Sequence, residues 1–200
     1  MLKPPIYTIF AYMNKATINI REAVASDATL IAQAVAMGIG DEKALQNYCG
    51  EEYLSLLTQI ALDDNTQYSY NNALIAEIDG KTAGAIIGYD GATLHHLRQN
   101  TYNIINSSIG RTPSIPDETE AGEFYLDTVA VLPQYRSMGI GKQLITAFCN
   151  RAFSQGHKKV GLIVDFDNPR AEALYTSLGF TRVGTRLFFG HKMWHLQKLV

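Results

Sequence analysis

The sequence predicts one α/β domain, and three observations carry that expectation. Its 200 residues, 46% hydrophobic and 18% charged, suffice for one sizeable core and are too few for two ordinary domains. Period-two and helical hydrophobic patterns take turns along the chain and close in the order β-α-β-α-β-β. Between two apolar runs, Asp79-Gly80 is a dipeptide that a tight hairpin turn favours.

Thr17 to Arg21 alternates polar and apolar residues as a half-buried strand does. Ala25-Ser26-Asp27 then offers a cap to a helix carrying Leu30, Ile31 and Val35, and Gly38-Ile39-Gly40-Asp41 ends it. Glu42 to Leu62 resumes the helical spacing through Leu45, Tyr48, Leu54, Leu57 and Ile60, with an interruption expected at Gly50. Asn72 to Ile78 and Lys81 to Tyr89 are the hairpin arms. From Gly91 to Gly122 the pattern loosens into a helix at Leu94 to Ile105 and the turn-rich Gly110 to Pro116, so 91–122 reads as an insertion or lid. Strands follow at Glu123 to Val131 and Lys159 to Phe166, with helices at Gly141 to Phe153 and Asn168 to Leu178. Phe180 to Phe189 and His191 to Lys198 are two closing strands. Residues 1–15 precede the recognisable pattern and read as an N-terminal extension, with Met13 as an alternative start, which leaves 16–200 for the domain.

Seventeen Lys and Arg against nineteen Asp and Glu give a formal net charge of -2, without the basic excess of a nucleic-acid binder. No stretch reaches the roughly 18 to 20 apolar residues of a spanning helix, so no membrane partner is expected. Met1 to Met13 mimics a signal peptide only faintly, because Tyr7, Thr8 and Tyr12 interrupt it and no small-residue cleavage site follows. Cys49 and Cys149 stand far apart without a CxxC pair, which signals neither a disulfide framework nor a zinc knuckle and fits a reducing cytoplasm.

One loop is built for an anion. Gln134-Tyr135-Arg136-Ser137-Met138-Gly139-Ile140-Gly141-Lys142 joins a strand to a helix with two spaced glycines and two cations. Glycines admit a ligand to the backbone, the first N–H groups of a helix lack internal partners, and the helix dipole favours negative charge there. On the glycines alone, a plain strand-to-helix turn fits equally. A P-loop would need GxxxxGK[ST] and a dinucleotide fold GxGxxG, and Gln143 and Leu144 break both patterns.

The order Leu126-Asp127-Thr128-Val129-Ala130-Val131 to Gly141, then Asn168-Pro169-Arg170-Ala171-Glu172-Ala173-Leu174-Tyr175 to Phe180, resembles the GNAT superfamily of acetyl-CoA-dependent N-acetyltransferases. The family's [QR]xxGx[GA] loop is matched by Arg136, Gly139 and Gly141. The resemblance is strongest from Glu123 to Phe180, and residues 1–15 and 91–122 lie outside it.

That resemblance implies a GNAT-like mixed, largely antiparallel sheet flanked by helices, whose central parallel pair splays to admit acetyl-CoA, with the insertion placed before the cofactor-binding strand. It further implies that backbone N–H groups of Ser137, Met138, Gly139, Ile140, Gly141 and Lys142 hold the pyrophosphate beside Arg136. Val129 and Val131 would pair with the pantetheine arm like an added strand. Asn168 matches a cofactor-contacting asparagine and also reads as a helix N-cap before Pro169. Tyr175 stands where the family often carries the acid that protonates the departing thiolate. An acceptor amine would attack the thioester directly, with the oxyanion held by backbone N–H near Val129.

The base departs from the family, whose frequent glutamate position is held here by Tyr125. Strand alternation puts Glu123, Tyr125 and Asp127 on one face ahead of any bulge, so Asp127 or Glu123 is the expected base, acting through water. Asp117, Glu118 and Glu120 are expected to border the acceptor cleft and favour cationic amines. No metal is expected: Asp165 and Asp167 flank a strand end, and His191 and His195 lie about 13 Å apart along a strand. The acceptor amine, small molecule or protein, stays open, as do a homodimer, another acyl-CoA, and an acyl-CoA-binding module without turnover.

Overall fold

The computed structural model describes residues 17–188 and 190–200. The expected N-terminal extension, 1–15, lies outside the described residues. Strands β1 (Ile18–Glu22), β2 (Ala73–Ile78), β3 (Lys81–Asp90), β4 (Phe124–Val131), β5 (Lys159–Asp165), β6 (Thr181–Phe188) and β7 (His191–Leu199) form one sheet in the order β1-β2-β3-β4-β5-β7-β6. Every neighbouring pair is antiparallel except β4 and β5, which are parallel. The helices are α1 (Ala28–Ile39), α2 (Glu42–Cys49), α3 (Tyr53–Leu62), α4 (Leu94–Ile109), α5 (Ile140–Ser154) and α6 (Pro169–Ser177).

The strand period of two divides the sheet's apolar residues between two cores. Ala73, Ile75, Ala85 and Ile87 pack with α1, α2 and α3 on one face. Leu74, Ile86, Leu126 and Leu162 pack with Leu144 and Phe148 of α5 and Tyr175 of α6 on the other. The β2–β3 hairpin turns through Asp79 (φ 48°) and Gly80 (φ 76°), the pair of positive angles that a two-residue turn of this hand needs. Asp27 is not a simple side-chain cap for α1. Its carboxylate takes the Val24 N–H at 2.9 Å and both arms of the Arg21 guanidinium at 2.7 and 3.0 Å, fastening β1 to the turn that opens α1.

Two irregularities shape the centre. The β3–β4 register shifts between Ile87 and Gly88, because Thr128 faces Ile87 and Leu126 faces Gly88, leaving Asp127 as an extra residue. This bulge reverses the strand's phase: Phe124 and Leu126 join the α5 face before it, and Val129 and Val131 join that face after it. The second irregularity is the detour between the adjacent strands β3 and β4. It runs through α4, which packs on α3, and a loop that returns along Arg98.

Candidate active site

Strands β4 and β5 are paired only at Phe124↔Val160 and Tyr125↔Gly161, and then part. On its other side β4 stays paired to β3 as far as Val131↔Gly84. The Leu132 N–H donates to Ala83 at 2.9 Å. Strand alternation therefore turns the N–H groups of Val129 and Val131 away from β3, toward the opening.

At the far end of the opening lies the glycine loop. Ser137 (φ 65°) and Gly139 (φ 81°) hold left-handed backbone, and Gly139 is the N-cap of α5 without any side-chain cap. The first helical bond runs from Gln143 back to Gly139, so the N–H groups of Ser137 to Lys142 have no partner among the described residues. A Cβ built on Gly139 meets nothing within 4 Å, so the space before these donors is open. Arg136 folds back to the Val131 carbonyl at 3.3 Å, and Lys142 is exposed. Asn168 accepts from the Ala171 N–H at 3.1 Å and caps α6 behind Pro169.

Asp127 keeps partial exposure on its bulge and accepts from Thr128 Oγ1 at 3.0 Å and Tyr89 OH at 3.2 Å. Burial and then the nearby Glu118 charge push its carboxyl up to about 7, against those two bonds and the Arg98 charge. Tyr175 packs edge-on against Phe180 with ring centroids 5.8 Å apart, and burial raises its phenol to about 12. For Tyr125, burial first, then Glu118, Asp127, Glu123 and Tyr175, lift the phenol well above its ordinary range.

Glu123 occupies a different environment. It is 1% exposed and accepts from Thr119 Oγ1 at 2.7 Å and Gln197 Nε2 at 2.6 Å, with His195 Nε2 at 2.9 Å. Burial opposes its charge, but these bonds together hold its pKa below the usual value. With β7 partners on one side and Thr119 on the other, the carboxylate ties the sheet together beneath the point where β4 and β5 part.

The acidic segment expected to favour cationic amines is tied to arginines. Arg98, buried on α4, binds both Asp117, at 2.6 Å, and Glu118, while Glu120 faces Arg186 at 3.4 Å. Arg98 and Arg186 thus pair the carboxylates of this run, while Glu118 still exerts its charge on Asp127. His191 pairs with Asp165 at 3.0 Å while His195 bonds to Glu123, so the two imidazoles serve separate carboxylates. The sequence reading missed Gln67, Tyr89 and Arg98 around Asp127. Arg98 carried a usable signal, because it sits on the same helical stripe as Leu94, Leu97, Thr101 and Ile105, where a cation must be paired.

The sequence pattern of the acetyltransferase (GNAT) family matches residues 42–180. A crystal structure of an acetyltransferase superposes with a TM-score of 0.79 at 32% identity, covering 91% of this chain and 99% of that one. An N-acetyltransferase from Staphylococcus aureus Mu50 superposes at 0.76 with 26% identity, over 90% and 99% of the two chains. The N-alpha-acetyltransferase RimI of Mycobacterium tuberculosis is 33% identical over 109 residues, which is 54% of each chain. An uncharacterised Mycobacterium leprae protein is 32% identical over 126 residues, 63% of this chain and 27% of that one. The chain thus spans about half or less of the length of these curated relatives.

Proposed function

Because this chain belongs to the acetyltransferase (GNAT) family, we propose that it transfers an acetyl group from acetyl-CoA to a primary amine by direct attack in a ternary complex. The observation that carries this reading is the opening between β4 and β5, where backbone donors of Val129 and Val131, unpaired among the described residues, lead to the start of α5. A single acetyltransferase domain, with 91–122 as part of it, is the matching domain reading.

The residues present fit the cosubstrate. The donors from Ser137 to Lys142, with Arg136 and Lys142 nearby, suit a pyrophosphate. The edge of β4 suits the amides of a pantetheine arm, which would extend the sheet as a strand. When bound, acetyl-CoA supplies an acetyl thioester whose carbonyl an amine can attack. Backbone N–H near Val129 would hold the oxyanion.

A lysine-like amine, with a pKa of about 10.4, is neutral at pH 7 in only about one molecule in a few thousand. Asp127, at about 7, is ionised and protonated in comparable amounts at that pH and can accept the proton through water. We assign the base to Asp127 rather than Glu123, whose oxygens are already occupied by Thr119, His195 and Gln197. Tyr175, at about 12, stays protonated and acts as donor to the departing sulfur. A thiol titrates at about 8.5, so the Tyr175 hydroxyl stabilises the developing thiolate chiefly as a hydrogen-bond donor.

Incubation with acetyl-CoA and a panel of peptide α-amines, lysine peptides, polyamines and aminoglycosides, followed by thiol release and product mass, tests the reading. One amine should gain an acetyl group in step with thiol release. Tight acetyl-CoA binding with every amine left unmodified would replace transfer by a binding role, and no acetyl-CoA binding would overturn the reading altogether.

A further inference from the structure

Strands β3 and β4 are antiparallel neighbours, which a two-residue turn can join, yet α4 and a long loop intervene. What this detour delivers to the centre is Glu118. The residue is 2% exposed, and such a buried carboxylate requires partners. Arg98 from α4 pairs with its Oε2, while Oε1 accepts from Tyr89 OH at 2.9 Å and Gln67 Nε2 at 3.1 Å. The same Tyr89 oxygen lies 3.2 Å from Asp127 Oδ2 and accepts from Gln67 at 3.0 Å.

Granting Asp127 the base role proposed above, we propose that Glu118 is a positioning residue of the catalytic centre. Delivered by the β3–β4 detour and fixed by Arg98, it acts through the Tyr89 hydroxyl to set how strongly Asp127 holds a proton. The hydroxyl has one hydrogen and two carboxylates within reach, and Gln67 donating to its oxygen keeps that hydrogen directed at them. With Asp127 ionised, the hydrogen serves Asp127. Once Asp127 has taken a proton, it turns to Glu118 and keeps that buried charge satisfied. Tyr89 keeps its own proton in both states.

The groups facing Asp127 come from several elements: Glu118 from the loop, Arg98 from α4, Tyr89 from β3, Tyr125 and Thr128 from β4, Tyr48 from α2 and Tyr68 from the segment before β2. Glu123, just before β4, bears on Tyr125. Burial keeps all four tyrosines neutral at ordinary pH, so Glu118 and Arg98 are the charges that bear on Asp127 most directly.

Labelling aspartate carboxyl carbons with 13C lets Asp127 be titrated by NMR in the whole chain, with Asp127→Asn assigning its resonance. Glu118→Gln should lower the Asp127 midpoint by about one unit, because a like charge is removed and the Arg98 charge is less compensated. Tyr89→Phe should raise it by about half a unit or more, because the ionised form loses a donor. The acid limb of kcat/KM, measured with acetyl-CoA and the panel amine turned over fastest, should follow both. General loosening of the fold would not produce opposite signs. Unmoved midpoints in folded variants overturn the proposal. If Glu118→Gln does not fold, Glu118→Asp, whose shorter side chain leaves the Tyr89 hydroxyl to Asp127, takes its place and should also lower the midpoint. Tyr89→Phe, whose ring keeps its packing on Tyr125 with centroids 5.8 Å apart, tests the hydroxyl link. Midpoints that move while the kinetic limb stays fixed uphold the coupling and overturn only the base role of Asp127.

Discussion

The Glu123 carboxylate lies directly over the backbone of Gly161, in space that any larger residue on β5 would fill. Glu123 can reach His195 and Gln197 of β7 only because the strand between them is bare at that point. Gly161→Ala should therefore destabilise the chain by about 1 to 3 kcal/mol, as overpacking does. Urea unfolding reads this as a lower midpoint at an unchanged slope. An unchanged midpoint would mean that Glu123 can leave its site freely.

The same carboxylate makes stability depend on pH. Its folded pKa lies below the ordinary 4.5, so its contribution is fully present above that value and is lost as pH falls through the folded pKa. Glu123→Gln should be less stable than the parent at pH 7, and the gap should shrink as pH falls below 4.5. Paired urea titrations at pH 7 and in acid check the trend, and a gap independent of pH would assign the loss to packing.

Asp127 carries the opposite sign. Its folded value of about 7 against an ordinary 3.8 means that ionisation is penalised by the fold. The cost is absent below 3.8, grows as pH rises and levels off above about 7. Asp127→Asn should accordingly stabilise the protein at pH 8 by up to about 4 kcal/mol, with the gain fading toward pH 4. Transfer should fall by about 10²- to 10⁴-fold in the same variant. Greater stability with full activity would remove Asp127 from the chemistry.

Tyr175→Phe removes one hydroxyl and leaves the ring to pack on Phe180. Single-turnover transfer should drop by at least about tenfold, while acetyl-CoA affinity and thermal stability change little. Single-turnover conditions are needed because slow product release would mask the loss in steady state. A near-native rate would discharge Tyr175 from the donor role, and an equal loss of folding would make it a core residue.

Gly139→Asp puts a negative side chain, on left-handed backbone, in front of the free donors of α5. Acetyl-CoA affinity should fall at least about a hundredfold by calorimetry. Unchanged affinity in a folded variant would place the cosubstrate elsewhere.

Local signals made much of this legible from residues alone. Asp79-Gly80 forms its hairpin because both residues take positive φ, and Asn168-Pro169 opens α6 with a side-chain cap. The loop around Gly139 was legible for the same reason, since its chemistry lies in consecutive residues. The surroundings of Asp127 were not, because they are assembled from Gln67, Tyr89, Arg98 and Glu118, which meet only through tertiary packing. Nor could alternation separate Glu123 from Asp127. Both share a face in the pattern, and what distinguishes them is a bare glycine on one neighbouring strand and a register shift against the other.

That register shift also sets proton chemistry apart from anion binding on one strand. Were Asp127 deleted, Leu126↔Gly88 and Thr128↔Ile87 would become consecutive regular pairs, and Thr128 to Val131 would keep their partners on β3. The N–H groups of Val129 and Val131 would still face the opening, and what the centre would lose is the carboxylate that the bulge presents. A single supernumerary residue thus lends the strand a carboxylate without disturbing its anion-binding end. Loss of Asp127 should therefore spare the fold and acetyl-CoA binding while costing transfer, whereas one residue added or removed elsewhere in β4 should reverse its faces.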